Sequence, residues 1–468
     1  MDPSSQTNLK PPPDARPPAT YERTSDGDDL PRKLESFDAA LIIIGIVIGS
    51  GIFLLPNLIA RELPSIGAII AVWVVAGLLS YLGALAYAEL GAMMPATGGH
   101  YVYLREAYGP LCAFVCGWTF MLVVLSGGIA WLGVSFSIYV GQFVHLSPAT
   151  SKVLAVTLIA VLSVVNCVGV KESIWVQRTF TSLKIAGLVL LIGAGLLSRA
   201  VVTPAESGAH LMLSGGQFGL AMIACLMAYN GWTYISFVAG EIKQPERNIP
   251  RALSLSMFVV IALYVSANIA YMRVLSLHEI AVTDRVGAAL ANRTMGSIGA
   301  AILSATVLLS IIGAINGCIM TAARVPFAQA RDGVFFPRFG RIHPRFQTPA
   351  FATVAQAVWA SVLVLTGSYE TLFSYSMVAA WIFYTLSVAA VFLLRRTQPH
   401  RARPYRMWGY PYTLWAFVLV SIWFIANAFV TQLVPSLMAL VIIVSGIPAY
   451  LLFRRLPQVQ PNLKTIAR

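Results

Sequence analysis

Apolar residues in this chain come in long blocks, not in the short alternation of a half-buried strand. Twelve blocks predict helices over 38–60, 66–92, 110–143, 152–170, 180–198, 213–241, 252–272, 297–329, 350–366, 371–394, 411–430 and 434–453. Runs of 18 or more apolar residues recur among them, long enough to cross a hydrocarbon core of about 30 Å. In lipid a helix is one of the two forms that satisfy their own backbone. The polar segments between the blocks reach only about 20 to 25 residues, so no soluble enzyme domain fits. The pattern predicts an all-α polytopic membrane protein with twelve transmembrane helices.

Composition agrees: 57% of the 468 residues are hydrophobic and 11% charged, against about 25% charged in soluble domains. Residues 1–35 differ, with Pro3, Pro11, Pro12, Pro13, Pro17 and Pro18 among Ser, Thr and Asp. Such a segment buries too little to fold, and reads as a disordered cytoplasmic tail. With an inside N-terminus, 25 Lys and Arg residues fall on the cytoplasmic side. Only Arg61, Lys152, Arg199, Arg273, Arg285 and Arg293 fall outside. That is the positive-inside bias for two cytoplasmic termini. The net charge of +13 reports topology and anionic lipid; no nucleic-acid partner is needed.

Two blocks are interrupted where interruption costs most. Ile48-Gly49-Ser50-Gly51-Ile52-Phe53 lies inside the first, and Ala228-Tyr229-Asn230-Gly231-Trp232-Thr233 inside the sixth. One reading is small residues for close helix packing. The other is a break whose freed N–H and C=O groups bind a ligand. Position favours the break. Each interruption leads a five-span block, 38–198 and 213–395, and the two leading spans run in opposite directions. Two such blocks are the signature of a five-plus-five inverted-repeat transporter. The half-helix starting near Ser50 and Gly51 would offer N–H groups to a carboxylate. Carbonyls near Val47 and Met227-Ala228 would suit an ammonium. Together they suit a zwitterion, an α-amino acid above all.

One cation falls on neither side: Lys184, inside the fifth span. Snorkelling to the end marked by Arg178 is one reading. If Lys184 is buried, its partners must be carbonyl oxygens, because no Asp or Glu occurs between Glu106 and Glu172 or between Glu172 and Glu206. The break at Gly49–Gly51 exposes such oxygens. On the cytoplasmic side Glu89, Glu241 and Arg331 follow the second, sixth and eighth spans, and are candidates for an inner gate. Cys112, Cys116, Cys167, Cys225 and Cys318 lie in or at the ends of spans, so no exterior disulfide is expected. The six His residues sit at span ends or in loops without metal-ligand spacing; no metal or cofactor is expected.

The stretches IIIGIVIGSGIFLLP, YAELGAMMPATGGHYVYLREAYG, FTSLKIAGL, AYNGWTYISFVAGEIKQPERNIPRA and NGCIMTAARVPFAQARDG resemble the amino acid–polyamine–organocation superfamily, in its L-type amino acid transporter branch. The resemblance implies an inverted-repeat core of residues 36–200 and 201–396, peripheral helices over 397–454 and a cytoplasmic tail over 455–468. It implies that Ser50 and Gly51 amides hold the substrate carboxylate, with Gly49 permitting the approach. Val47 and Met227 carbonyls, with Asn230, Gly231 and Trp232 around them, would hold the amino group. Lys184 falls where this branch has a lysine in place of a sodium ion. The sequence also departs from the family. Met227 stands where an aromatic is common, and Asn230 where relatives with cationic substrates can carry Asp. The loop Val144–Lys152 lacks the cysteine that links animal members to a heavy chain, so a stand-alone protein of the cell (inner) membrane, bacterial in type, is expected.

The expected function is sodium-independent exchange of neutral L-amino acids by alternating access. Proton-coupled uptake remains the nearest alternative, with a membrane-embedded enzyme or an amino acid sensor more distant.

Overall fold

The computed structural model describes residues 30–455 except 64, 142, 200–214, 284 and 368. Most of the predicted tails over 1–35 and 455–468, and the join of the two predicted repeats near 200, lie outside them; residues 30–35 depart from the disordered reading, with Leu30 and Leu34 buried and Leu34 bridged to Ile242. Among the described residues the chain is all-helical, with one isolated bridge, Leu34 to Ile242. In chain order the helices begin with α1 (Ser36–Val47), α2 (Gly51–Glu62), α3 (Ile66–Met93) and α4 (His100–Tyr108). They continue with α5 (Pro110–Thr119), α6 (Leu125–Val140), α7 (Pro148–Val168), α8 (Val170–Leu197) and α9 (Gly215–Ala228). Next come α10 (Pro245–Val274), α11 (Leu277–Val282), α12 (Val286–Ala322) and α13 (Arg324–Arg331). The last four are α14 (Ala350–Thr366), α15 (Tyr369–Thr397), α16 (Tyr412–Thr431) and α17 (Leu433–Arg455). A π-helical turn, Phe120–Val124, joins α5 to α6, and a tight 3-10 helix, Trp232–Glu241, follows α9.

Among the described residues, ten helical segments are long and apolar enough to cross a membrane, and the bent pair α1–α2 makes eleven. The remaining predicted span, α14, is a shorter apolar helix of 17 residues. Local chemistry marks several ends. Ser65 Oγ accepts from Ala68 N–H at 3.2 Å, Ser147 Oγ from Thr150 N–H at 3.2 Å, and Pro148 follows where a missing N–H costs nothing. The helix that holds the eighth predicted span, α12, starts earlier, at Val286, but a kink at Gly296 (φ 69°) divides it just before the predicted start at 297. Likewise α8 begins at Val170, ten residues before the predicted start of the fifth span. Charged residues obscured both starts: Lys171, Glu172 and Arg178 stand exposed in the first turns of α8, and Arg293 in the segment ahead of Gly296.

Packing sets the site. Helix α3 runs against α10 and α8 against α12, while α1 sits among α10, α8 and α12. Helices α16 and α17 lie at the periphery, with Leu419, Val430, Val441 and Leu452 exposed. In a bilayer such side chains meet acyl chains.

Candidate functional site

The first interruption is a break. Helix α1 ends at Val47, α2 starts at Gly51, and their axes differ by 45°. The backbone folds on itself there, Gly49 N–H donating to Val47 O at 2.8 Å. Phe53 and Leu54 N–H then donate to Ser50 O at 3.1 and 3.2 Å. The N–H groups of Ser50 and Gly51 meet no acceptor among the described residues. These are the orphan donors of a helix start, at the positive end of its dipole. The second interruption is a break too: α9 stops at Ala228, and Gly231 turns the chain at φ 133° into the tight helix. A side chain there would sit 3.1 Å from Val47 N. The two breaks therefore touch, which only glycine allows at that conformation.

Both breaks border a cavity of about 140 Å³. Val47, Gly49, Ser50 and Gly51 form one wall, and Met227, Ala228 and Asn230 another. Val124, Gly128, Trp131 and Leu132 close it from the π turn and α6, Leu54 and Leu55 from α2. Ile46, Tyr234, Cys318, Ser376 and Met377 complete it. No lining side chain is charged. Six of the predicted binding residues thus come together: Val47, Gly49, Ser50, Gly51, Met227 and Asn230. Gly231 and Trp232 do not line the cavity. Trp232 is buried behind it, its ring 5.1 Å from Tyr87, 5.9 Å from Tyr384 and 6.1 Å from Phe417. The tight helix turns that side chain away, a rotation that residue spacing alone does not reveal. Asn230 is held from both ends: Tyr384 O–H donates to Oδ1 at 3.1 Å, and Nδ2 lies 3.8 Å from Met377 Sδ.

Lys184 stands fifteenth among the 28 residues of α8 and is 1% exposed, so it does not snorkel. Its Nζ donates to Gly45 O at 2.8 Å, Ile48 O at 2.8 Å and Ser310 O at 2.7 Å. That satisfies all three donors of an ammonium. Ser310 Oγ donates to the same Ile48 O at 2.7 Å. One cation thus ties the frayed end of α1 to α8 and α12. Tyr264 of α10 does related work with a hydroxyl: Val47 O lies 2.8 Å from its Oη and Ala228 O 3.3 Å. It bridges the two breaks. Neither Tyr264 nor Ser310 stands out in an apolar block, and the cavity residues Trp131, Tyr234, Cys318, Ser376 and Met377 are equally silent.

At the end of the bundle where residues 30–35 lie, ion pairs cross between helices. Glu241 is buried and takes Arg324 in two hydrogen bonds, 2.8 and 3.0 Å. Glu89 takes Arg395 at 2.9 and 2.7 Å and Met407 N–H at 2.8 Å, with Arg403 3.7 Å away. Arg331 closes α13, and its neighbour Asp332 takes Tyr101 O–H at 2.6 Å and the Arg105 guanidinium. Lys33 and Leu34 N–H donate to Glu241 O at 2.9 Å each. The chain before α1 is thus strapped to the end of the tight helix. The arginines opposite Glu89 and Glu241 are Arg395, Arg403 and Arg324, which loop charge alone did not single out.

A sequence model of the amino acid permease family matches residues 34–448. The chain belongs to that family. The serine/threonine exchanger SteT of Bacillus subtilis is 29% identical over 431 residues, 91% of this chain and 98% of its own. The human large neutral amino acids transporter small subunit 2 is 32% identical, covering 91% of this chain and 81% of its own. The human cystine/glutamate transporter is 30% identical, covering 91% and 85%. These relatives agree with the resemblance to the L-type branch of the amino acid–polyamine–organocation superfamily. The permease is a multi-pass membrane protein that moves amino acids, and it is not an enzyme.

Proposed function

We propose that this permease exchanges neutral L-amino acids across the cell membrane without sodium, by alternating access around its two breaks. The observation that carries the reading is an uncharged cavity onto which the unpaired Ser50 and Gly51 N–H groups open. A substrate carboxylate would take those two donors. The substrate ammonium would take the second lone pair of the Met227 carbonyl, which already accepts one bond from Asn230 N–H, beside a Val47 carbonyl that accepts from both Gly49 N–H and the Tyr264 hydroxyl. A charged substrate side chain would find no counter-charge on this lining and would lose its hydration. Lys184 supports independence from sodium, because its ammonium occupies carbonyls that a bound cation would otherwise need. Exchange is supported by the name of the Bacillus relative. The bias of Lys and Arg toward one side supports cytoplasmic termini.

Competition for labelled alanine uptake into proteoliposomes tests the substrate class, with sodium replaced by choline throughout. Serine, threonine, alanine and other neutral amino acids should compete, and lysine and glutamate should not. Uptake abolished by choline, or competition by lysine or glutamate as strong as by serine, would refute the reading.

A further inference from the structure

Beyond Glu370 the sequence has no Asp or Glu but nine Lys and Arg residues. Five of the nine are Arg395, Arg396, Arg401, Arg403 and Arg406, where α15 ends and the chain leads into α16. Two carboxylates from elsewhere answer three of them: Glu89 meets Arg395 and Arg403, and Glu106 meets Arg401 at 3.1 Å. Arg396 and Arg406 are exposed and make no ion pair among the described residues. The excess charge is felt locally. Burial first, then Arg395, Arg406 and Arg401 against the opposing pull of Glu89, hold the Arg403 guanidinium below its ordinary pKa.

The surroundings of these arginines are layered. The Arg396 guanidinium lies over the Phe392 ring at 4.1 Å, and that ring meets Trp415 at 5.7 Å, edge to face. Trp408 is 78% exposed and Tyr412 82%, at the start of α16. Further along the same helix Leu419 and Ile422 continue the exposed face at helical spacing from Trp415. Cationic groups, then aromatic rings with a polar edge, then aliphatic side chains follow the order of phosphate, interface and acyl chain in a leaflet.

We propose that this corner, Arg396 and Arg406 above Trp408, Tyr412 and Trp415, is a binding site for the headgroup of an anionic phospholipid. A soluble polyanion would answer the arginines but leave the aliphatic face bare. A second copy of this chain, joined about a two-fold axis here, would bring two unpaired cationic segments together and repel. A lipid answers both layers at once, and its phosphate supplies the anion that the acid-free C-terminal quarter of the chain lacks.

Native mass spectrometry of the full-length protein tests this after exposure to equal amounts of phosphatidylglycerol and phosphatidylcholine. The wild type should retain phosphatidylglycerol in several-fold excess. Arg396→Gln with Arg406→Gln should abolish that several-fold excess, bringing phosphatidylglycerol to parity, and leave phosphatidylcholine adducts unchanged. An equal loss of charge at Arg247→Gln with Arg251→Gln should leave the wild-type ratio intact. Trp408→Ala, which keeps every charge, should also weaken retention, so the proposal does not hang on the double variant folding. Equal retention of both lipids by the wild type would overturn it. So would a double variant that holds phosphatidylglycerol like the wild type, or a loss matched by the Arg247 and Arg251 pair. A wild-type dimer that the double variant dissolves would assign the corner to a second copy instead.

Discussion

Lys184 carries the electrostatics of the binding site from behind. Its three hydrogen bonds to Gly45, Ile48 and Ser310 carbonyls are charge-assisted, each worth about 1.5–3 kcal/mol. No carboxylate competes for them. Lys184→Ala leaves two carbonyls at the frayed end of α1 without their cation, and the geometry of the adjoining Ser50 and Gly51 amides with them. Transport by that variant should fall at least about ten-fold, the change that 1.4 kcal/mol produces. The protein should still be purified as a folded species by gel filtration; wild-type transport in the variant would refute the role. Tyr264→Phe is gentler. It removes the hydroxyl that spans Val47 O and Ala228 O, at a cost of about 1 kcal/mol. The expected outcome is a several-fold rise in KM for labelled alanine with the unfolding temperature nearly unchanged. An unchanged KM would mean that the bridge does not shape the site.

Between elements, the site depends on how the half-helices are held. Helix α1 is gripped by Lys184 at its break and by the Lys33–Leu34 strap at its start. The tight helix after α9 ends on Glu241, whose carboxylate is buried against Arg324. Removing one partner of a buried pair strands the other, at a cost of about 3–5 kcal/mol. Arg324→Ala should therefore lower the unfolding temperature clearly, and Arg324→Ala with Glu241→Ala should recover part of the loss. A single variant as stable as wild type would show the pair to be idle. How much of this was legible in the sequence follows from the same physics. Both breaks could be read, because Gly-Ser-Gly and Asn-Gly are costly within a membrane helix. Lys184 could be read because a lone ammonium in an apolar block has few solutions. The start of α8 could not, since its first turns carry the exposed Lys171, Glu172 and Arg178, which end the apolar block without ending the helix. Tyr264, Ser310 and Tyr234 were hidden for the opposite reason: they are ordinary residues whose meaning is three-dimensional. The pairing of Glu89 with Arg395, 306 positions away, was likewise invisible until the helices were packed.

For the whole molecule, the two breaks lie in contact, share one cavity and are bridged by Tyr264, while Lys184 and Ser310 tie the first of them to α8 and α12. Ion pairs join the helices at the end where α1 begins. On the proposed exchange reading, such a frame rocks about its fixed site only when that site is loaded. The most direct measurement follows labelled alanine entering proteoliposomes in sodium-free medium at equal pH on both sides. One set of vesicles holds unlabelled alanine and the other is empty. Exchange predicts rapid uptake into the loaded vesicles and little into the empty ones. Equal uptake into both, or empty vesicles filling at full rate once a proton gradient is imposed, would contradict it.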